Sequence, residues 1–242
     1  MFRYIKYVEV KINNLERVEF MIVRENTQKV EEINEDMALK INTKESIFKK
    51  AVFFDLEHYV YKKPICIGVF GCSYYDEEKQ VLKTTQYMIE NKADSLEILR
   101  LAKKYFVNLY ENKGKRYIVT FSGNNDFTVI NYLMNKYKLN LNLEEYFTHI
   151  DLQKEYEKCK GVNIGLKALE KEFEIERESE LISGQNLAKT FGKVIKDREY
   201  INRMPTEKKE KILLYNEQDV VSLFYMYITW EKYVSSEVSP KE

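Results

Sequence analysis

From residue 51 onward, apolar runs and polar breaks follow one another at spacings that predict strands and helices in turn. "AVFFDLE" is apolar without interruption until Asp55, the pattern of a strand covered on both faces. "PICIGVFGCSYYD" follows, rich in β-branched and aromatic residues, then the turn-like "DEEKQ" and the run "QVLKTTQYM". Together these predict an antiparallel meander. "SLEILRLAKKYFVNLYEN" places Leu96, Leu99, Phe106 and Leu109 at helical spacing, with Ser95 as the expected N-cap and Gly114 just past the end. "RYIVTFS" predicts a strand, "DFTVINYLMNKYKL" a helix, "YFTHIDL" a strand, and "NIGLKALEKEF" and "SGQNLAKTFGKVI" short helices. A last long helix is expected from about Thr206 to Tyr233. The order predicts an α/β fold: a mixed five-stranded sheet with helices against it.

Residues 1–50 are less regular. "YVEVKI" and "VEFMIV" read as short strands and "KVEEINEDMALKI" as a polar helix or linker. The expected organisation is an N-terminal extension over 1–50 that packs on a main domain of residues 51–235, with a flexible tail at 236–242.

Composition narrows the chemistry. The chain has 242 residues, 44% of them hydrophobic, and 19 tyrosines, enough for a sizeable core. Three prolines and eight glycines argue against a disordered or collagen-like chain. Lysine and arginine balance aspartate and glutamate at 39 each, so no global basic field exists and a polyanion must be attracted locally. Cys66, Cys72 and Cys159 form neither a disulfide framework nor a zinc cluster. The N-terminus lacks the apolar core of a secretory signal, and no run approaches the ~18 apolar residues of a membrane span. The expected setting is cytoplasmic, without a membrane.

Acidic residues carry the remaining signal. Asp55 and Glu57 are one residue apart at the end of a central strand and share a face. Asp126 follows a strand at a helix start, where it is either a helix cap or a ligand. Tyr215 and Asp219 lie four apart on the last long helix, hence on one face; they read as a surface hydrogen-bonded pair or as part of a site. His58 and His149 are single histidines without metal-ligand spacing, and no P-loop, nucleophile elbow or Cys–His pattern is present.

Asp-x-Glu on the first strand, Asp after a later strand and Tyr-x-x-x-Asp on a late helix together resemble the DEDD-type 3′–5′ exonucleases of the RNase H-like superfamily. Tyr215 four before Asp219, with Leu214 where the alternative subgroup has histidine, is similar to the DEDDy subgroup. The resemblance is to the stand-alone bacterial predicted-exonuclease branch rather than to a polymerase proofreading domain, and it covers residues 51–233. It implies the strand order 3-2-1-4-5. Two stretches depart from the family pattern. "SGNND" has Ser122 for the usual Asn, is one residue shorter and lacks Phe before Asp126, which makes Asp151 in "HIDL" the fallback. His58-Tyr59-Val60 replaces the Thr-Thr-Gly that usually follows Asp-x-Glu.

The implied chemistry is hydrolysis of DNA or RNA with release of 5′-monophosphates. Carboxylates at 4 Å repel by about 4 kcal/mol per pair at an effective dielectric of ~20, so such a cluster calls for cations. Oxygen ligands with open positions suit Mg²⁺ or Mn²⁺. The resemblance implies two ions about 3.5–4 Å apart. Asp55 would bridge them, Glu57 and Asp219 would help hold the ion that carries the attacking water, and Asp126 would hold the second. Tyr215 would orient the water. The implied partner is a single-stranded or 3′-ended nucleic acid. Two rival readings keep the fold: a non-catalytic nucleic-acid-binding module and a structure-specific endonuclease. Residues 189–211 contain eight basic and four acidic side chains, either a solvated surface or a phosphate-binding edge. Tyr59 and Tyr61, with Lys62 and Lys63, read either as a base-stacking platform or as a packed turn.

Overall fold

The computed structural model describes residues 4–9, 20–41, 47–178 and 182–234. The expected tail at 236–242 lies outside them. One sheet organises the protein. Its strands are β1 (Tyr4–Glu9), β2 (Phe20–Lys29), β3 (Ala51–Tyr61), β4 (Lys63–Asp76), β5 (Val81–Met88), β6 (Tyr117–Thr120) and β7 (Thr148–Asp151). They lie in the order β1-β2-β5-β4-β3-β6-β7. The stretch β5-β4-β3-β6-β7 is the expected 3-2-1-4-5 arrangement. β3, β4 and β5 pair antiparallel, whereas β3–β6 and β6–β7 are parallel.

Among the described residues the sheet has seven strands rather than five. β5 would otherwise present a row of unpaired backbone groups at an edge, and β2 covers it antiparallel from Ile22↔Met88 to Lys29↔Val81. "KVEEINEDMALKI" forms no long helix: Glu35–Met37 make a single 3₁₀ turn capped by Asn34, and Ala38 and Leu39 are buried.

The helices are α1 (Asp94–Lys113), α2 (Asn124–Lys136), α3 (Leu143–Tyr146), α4 (Leu152–Lys160), α5 (Leu166–Glu172), α6 (Gly184–Lys196), α7 (Thr206–Ile228) and α8 (Trp230–Tyr233). The hydrophobic pattern does not predict α4, and the long C-terminal helix breaks at Thr229. Ser95 is not the cap of α1. That helix starts one residue earlier, and the Asp94 carboxylate accepts from the Glu90 and Asn91 N–H groups at 2.7 and 3.1 Å. Gly114 ends it in the left-handed conformation, φ 64°, as expected of a C-cap.

β3 divides two cores. Phe54 on one face packs edge-on to Phe106 of α1 at 5.4 Å, and Phe53 on the other packs edge-on to Phe224 of α7 at 5.3 Å. Each such ring pair adds about 0.5–1.5 kcal/mol beyond its buried area. The uninterrupted apolar run in the sequence is this double coverage. It holds α7 flat across the face of β3 on which Asp55 and Glu57 emerge.

Candidate active site

The second half of β3 and the middle of α7 bring three carboxylates together. One oxygen each from Asp55, Glu57 and Asp219 lies within 4.8 Å of the others. Glu57 and Asp219 are buried and Asp55 is half-buried. Asp55 is braced from α7: Asn216 Nδ2 donates to its Oδ2 at 2.9 Å. Asn216 is held in turn by Gln86 Nε2 on β5, which donates to its Oδ1 at 2.8 Å. Gly71 on β4 leaves the room for this amide, because a Cβ there would stand 2.1 Å from Asn216 Oδ1.

Crowding and burial shift the acids upward. Burial, then the charge of Asp219, raises the Asp55 carboxyl to about 7, against the pull of the Asn216 hydrogen bond and of Lys167 and Arg177. Burial and the charges of Asp55, Asp219 and Asp126 push Glu57 well above the usual carboxylate range. Tyr215, one turn before Asp219 on α7, is raised by burial and by the charges of Asp219, Glu57 and Asp55. Its phenol therefore remains protonated and is available as a donor.

Two cations complete the cluster. Lys167 of α5 donates from Nζ to Asp219 Oδ1 at 2.6 Å. Arg177, in the segment after α5, reaches the same oxygen through Nη2 and is fixed by Glu170 of α5, whose Oε2 accepts from Nε at 2.7 Å. Both cations also lie over the Tyr215 ring, at 4.5 and 5.4 Å from its centroid. Because both bind Oδ1 of Asp219 and Asn216 binds Oδ2 of Asp55, the other oxygen of each carboxylate remains for a ligand. This set of hard oxygens fits a divalent cation.

Asp126 stands apart from this trio. The helix begins at Asn124, capped by Gly123, so Asp126 is inside its first turn rather than its cap. It is buried, its carboxyl is raised by burial and by the charges of Asp55, Asp219 and Asp151, and Oδ1 lies 3.7 Å from His58 Nε2. His58 follows a break in the β3–β4 register between Glu57 and His58, and such a bulge re-aims side chains at a strand end. Asp151 acts locally. It caps α4 by accepting from the Gln153 N–H at 3.1 Å and also accepts from the Ser122 N–H at 2.9 Å. Tyr59 packs on α6, where a Cβ at Gly192 would be 3.1 Å from its ring. Tyr61 is 66% exposed at the hairpin tip.

Asn216, Gln86, Lys167 and Arg177 are not identified by the sequence pattern. Asn216 leaves one clue, its place immediately after Tyr215 on an otherwise apolar face. Lys167 and Arg177 leave none, being 52 and 42 residues from Asp219.

Among the described residues, no helix is long and apolar enough to cross a membrane. A comparison with curated proteins finds no match. The family model described as RNase H superfamily, whose members typically act on nucleic acids as nucleases, matches residues 52–231. That span starts within β3, ends in α8 and contains every carboxylate of the cluster. The chain belongs to the RNase H superfamily.

Proposed function

We propose that the protein is a divalent-metal-dependent 3′–5′ exonuclease of the DEDDy type, releasing 5′-monophosphates from a single-stranded or 3′-ended DNA or RNA. The observation that carries this reading is the meeting of Asp55, Glu57 and Asp219 within 4.8 Å, with Tyr215 one helical turn from Asp219. Mg²⁺ or Mn²⁺, two ions in this reading, supplies Lewis-acid stabilisation of charge on the phosphate and activates water at neutral pH. Asp55, Glu57 and Asp219 would hold the metal, with Asp126 as a further carboxylate beside them. Tyr215 keeps its proton and orients the nucleophilic water through its hydroxyl. Asn216 keeps Asp55 in place, and Lys167 and Arg177 do the same for Asp219.

The test is a single strand labelled at its 5′ end, incubated with Mn²⁺, with Mg²⁺ and with EDTA. A ladder that shortens from the 3′ end and disappears in EDTA is expected. Asp55→Ala should abolish it without loss of folding. A single internal cut would instead favour the endonuclease reading, and a blocked 3′ end separates the two. The second reading, a nucleic-acid-binding module without catalysis, has one observation in its favour: Asp126 lies outside the close trio, next to a motif with Ser122 in place of the usual Asn. Binding without shortening by folded protein supports it.

A further inference from the structure

A cleft of about 420 Å³ lies between α6 and the start of α7. Lys189 and Lys193 line it from α6, and Lys208 and Lys211 from α7. All four are exposed, and among the described residues no carboxylate lines the cleft. Two basic neighbours outside it are paired: Lys209 Nζ is 3.5 Å from Glu90, and Arg203 pairs with Asp197. Among the described residues, none of the four cleft lysines has an ion-pair partner. Four ammonium groups around one hollow repel one another unless an anion is shared between them.

The cleft and the acidic cluster share α7, which supplies Lys208 and Lys211 to the one and Asp219 to the other. At 100° per residue, Lys208, Lys211, Tyr215 and Asp219 fall within a sector of about 80° on α7. Lys211 is about 12 Å and Lys208 about 17 Å from Asp219 along the helix axis, from the rise per residue. α6 is locked beside them by Phe191 packed on Gly68 and by Gly192 against Tyr59. Tyr200, 5.6 Å from Lys193 Nζ at its ring centroid, adds an aromatic surface to the wall. Phosphate-binding cations with an aromatic surface are the makings of a single-strand track.

We infer that this cleft carries the sugar–phosphate backbone of a single nucleic-acid strand whose end lies at the carboxylate cluster. It supplies, locally, the positive field that the neutral chain as a whole lacks. The choice of a nucleic acid as occupant rests on the nuclease reading; the anion-binding character rests on the lysines alone.

The experiment compares wild type with the combined Lys189→Gln, Lys193→Gln, Lys208→Gln and Lys211→Gln variant. Binding of a short fluorescein-labelled single strand is followed by anisotropy in EDTA over a salt series. Cleavage of that strand and of the p-nitrophenyl ester of thymidine monophosphate, too small to reach the cleft, is followed with Mn²⁺. Expected are an unchanged melting temperature, at least ~10-fold weaker binding, and a log–log salt slope shallower by about 2, the loss of roughly three phosphate contacts. Cleavage of the small ester stays at the wild-type rate. An unchanged affinity and slope, or a wild-type protein that binds no strand, overturns the inference. Weakened binding by the variant with no cleavage of either substrate by wild type upholds the cleft and removes the nuclease reading. Cleavage of the strand by both proteins with equal affinity does the reverse.

Discussion

Asn216 donates its side-chain amide to the Asp55 carboxylate at 2.9 Å across the interface between α7 and β3. The contact does two things at once. It orients the carboxylate and opposes the upward shift that burial and Asp219 impose on it. Partners that orient a metal-binding carboxylate typically contribute about 10–100-fold in metal affinity. Asn216→Leu is therefore expected to weaken Mn²⁺ binding by about that factor, read by calorimetric titration. It also leaves Gln86 Nε2 with Leu213 O as its remaining acceptor, so the metal-free protein should lose about 1–3 kcal/mol. An unchanged Mn²⁺ affinity would show that this amide serves packing alone.

Lys167 and Arg177 both place their charge on Oδ1 of Asp219. In the metal-free protein they offset part of the repulsion within the trio. Lys167→Met leaves one counter-charge for three clustered carboxylates. The expected result is a lower melting temperature without metal and a larger upward shift with saturating Mn²⁺, because a ligand that binds only the native state stabilises it by mass action. Equal metal-induced shifts in wild type and variant would mean that Lys167 does not offset the same repulsion as the ion.

How much of this was legible depends on the range of each signal. The double coverage of β3 was written in four consecutive apolar residues, Ala51 to Phe54, because a strand buried on both faces loses its alternation. The Asp55–Glu57 and Tyr215–Asp219 pairs were legible because strand and helix periodicities fix which neighbours share a face. The joining of β2 to β5 was not, since it is made by backbone groups that any residue carries. Lys167 and Arg177 were hidden for a related reason: a surface-type cation in a polar segment gives no local sign that the fold will turn it inward. Ser95 misled because Asp94, next to it, forms the stronger local bonds.

Arg24 ties β2 to the helix of the site. Its side chain is buried, it pairs with Glu210, and its Nη1 lies 3.9 Å from Glu217 Oε2. Asn26 bonds Glu217 as well, and Gln28 Nε2 donates to the Tyr225 hydroxyl at 3.0 Å. β2 is thus fastened along α7 on the side away from Tyr215. Arg24→Met strands the buried Glu217 charge and should destabilise by about 3 kcal/mol, or roughly 6–12 °C in a domain of this size. Adding Glu217→Gln removes the stranded charge and is expected to recover part of the loss. Equal melting temperatures for the single and double variants would show that packing, not charge, joins the two elements.

The acidity of the cluster gives a pH dependence with a definite sign. Asp55 loses its proton at about 7 in the metal-free native protein, against 3.8 ordinarily. Between those values the native state binds more protons than the unfolded chain, so stability falls as pH rises through that window. Glu57 and Asp126, raised in the same direction, add to the slope. Metal binding requires the ionised carboxylates and therefore expels these protons. Mn²⁺ affinity should increase steadily from about pH 5.5 to about pH 7.5, with proton release on binding that declines over the same range. Titration calorimetry in two buffers of different ionisation enthalpy measures both quantities. The melting temperature of the metal-free protein should fall over this interval while that of the Mn²⁺-saturated protein does not. An affinity independent of pH would mean that the carboxylates are already ionised at about pH 5.5, held so by Lys167, Arg177 and Asn216 more strongly than burial and mutual repulsion oppose it.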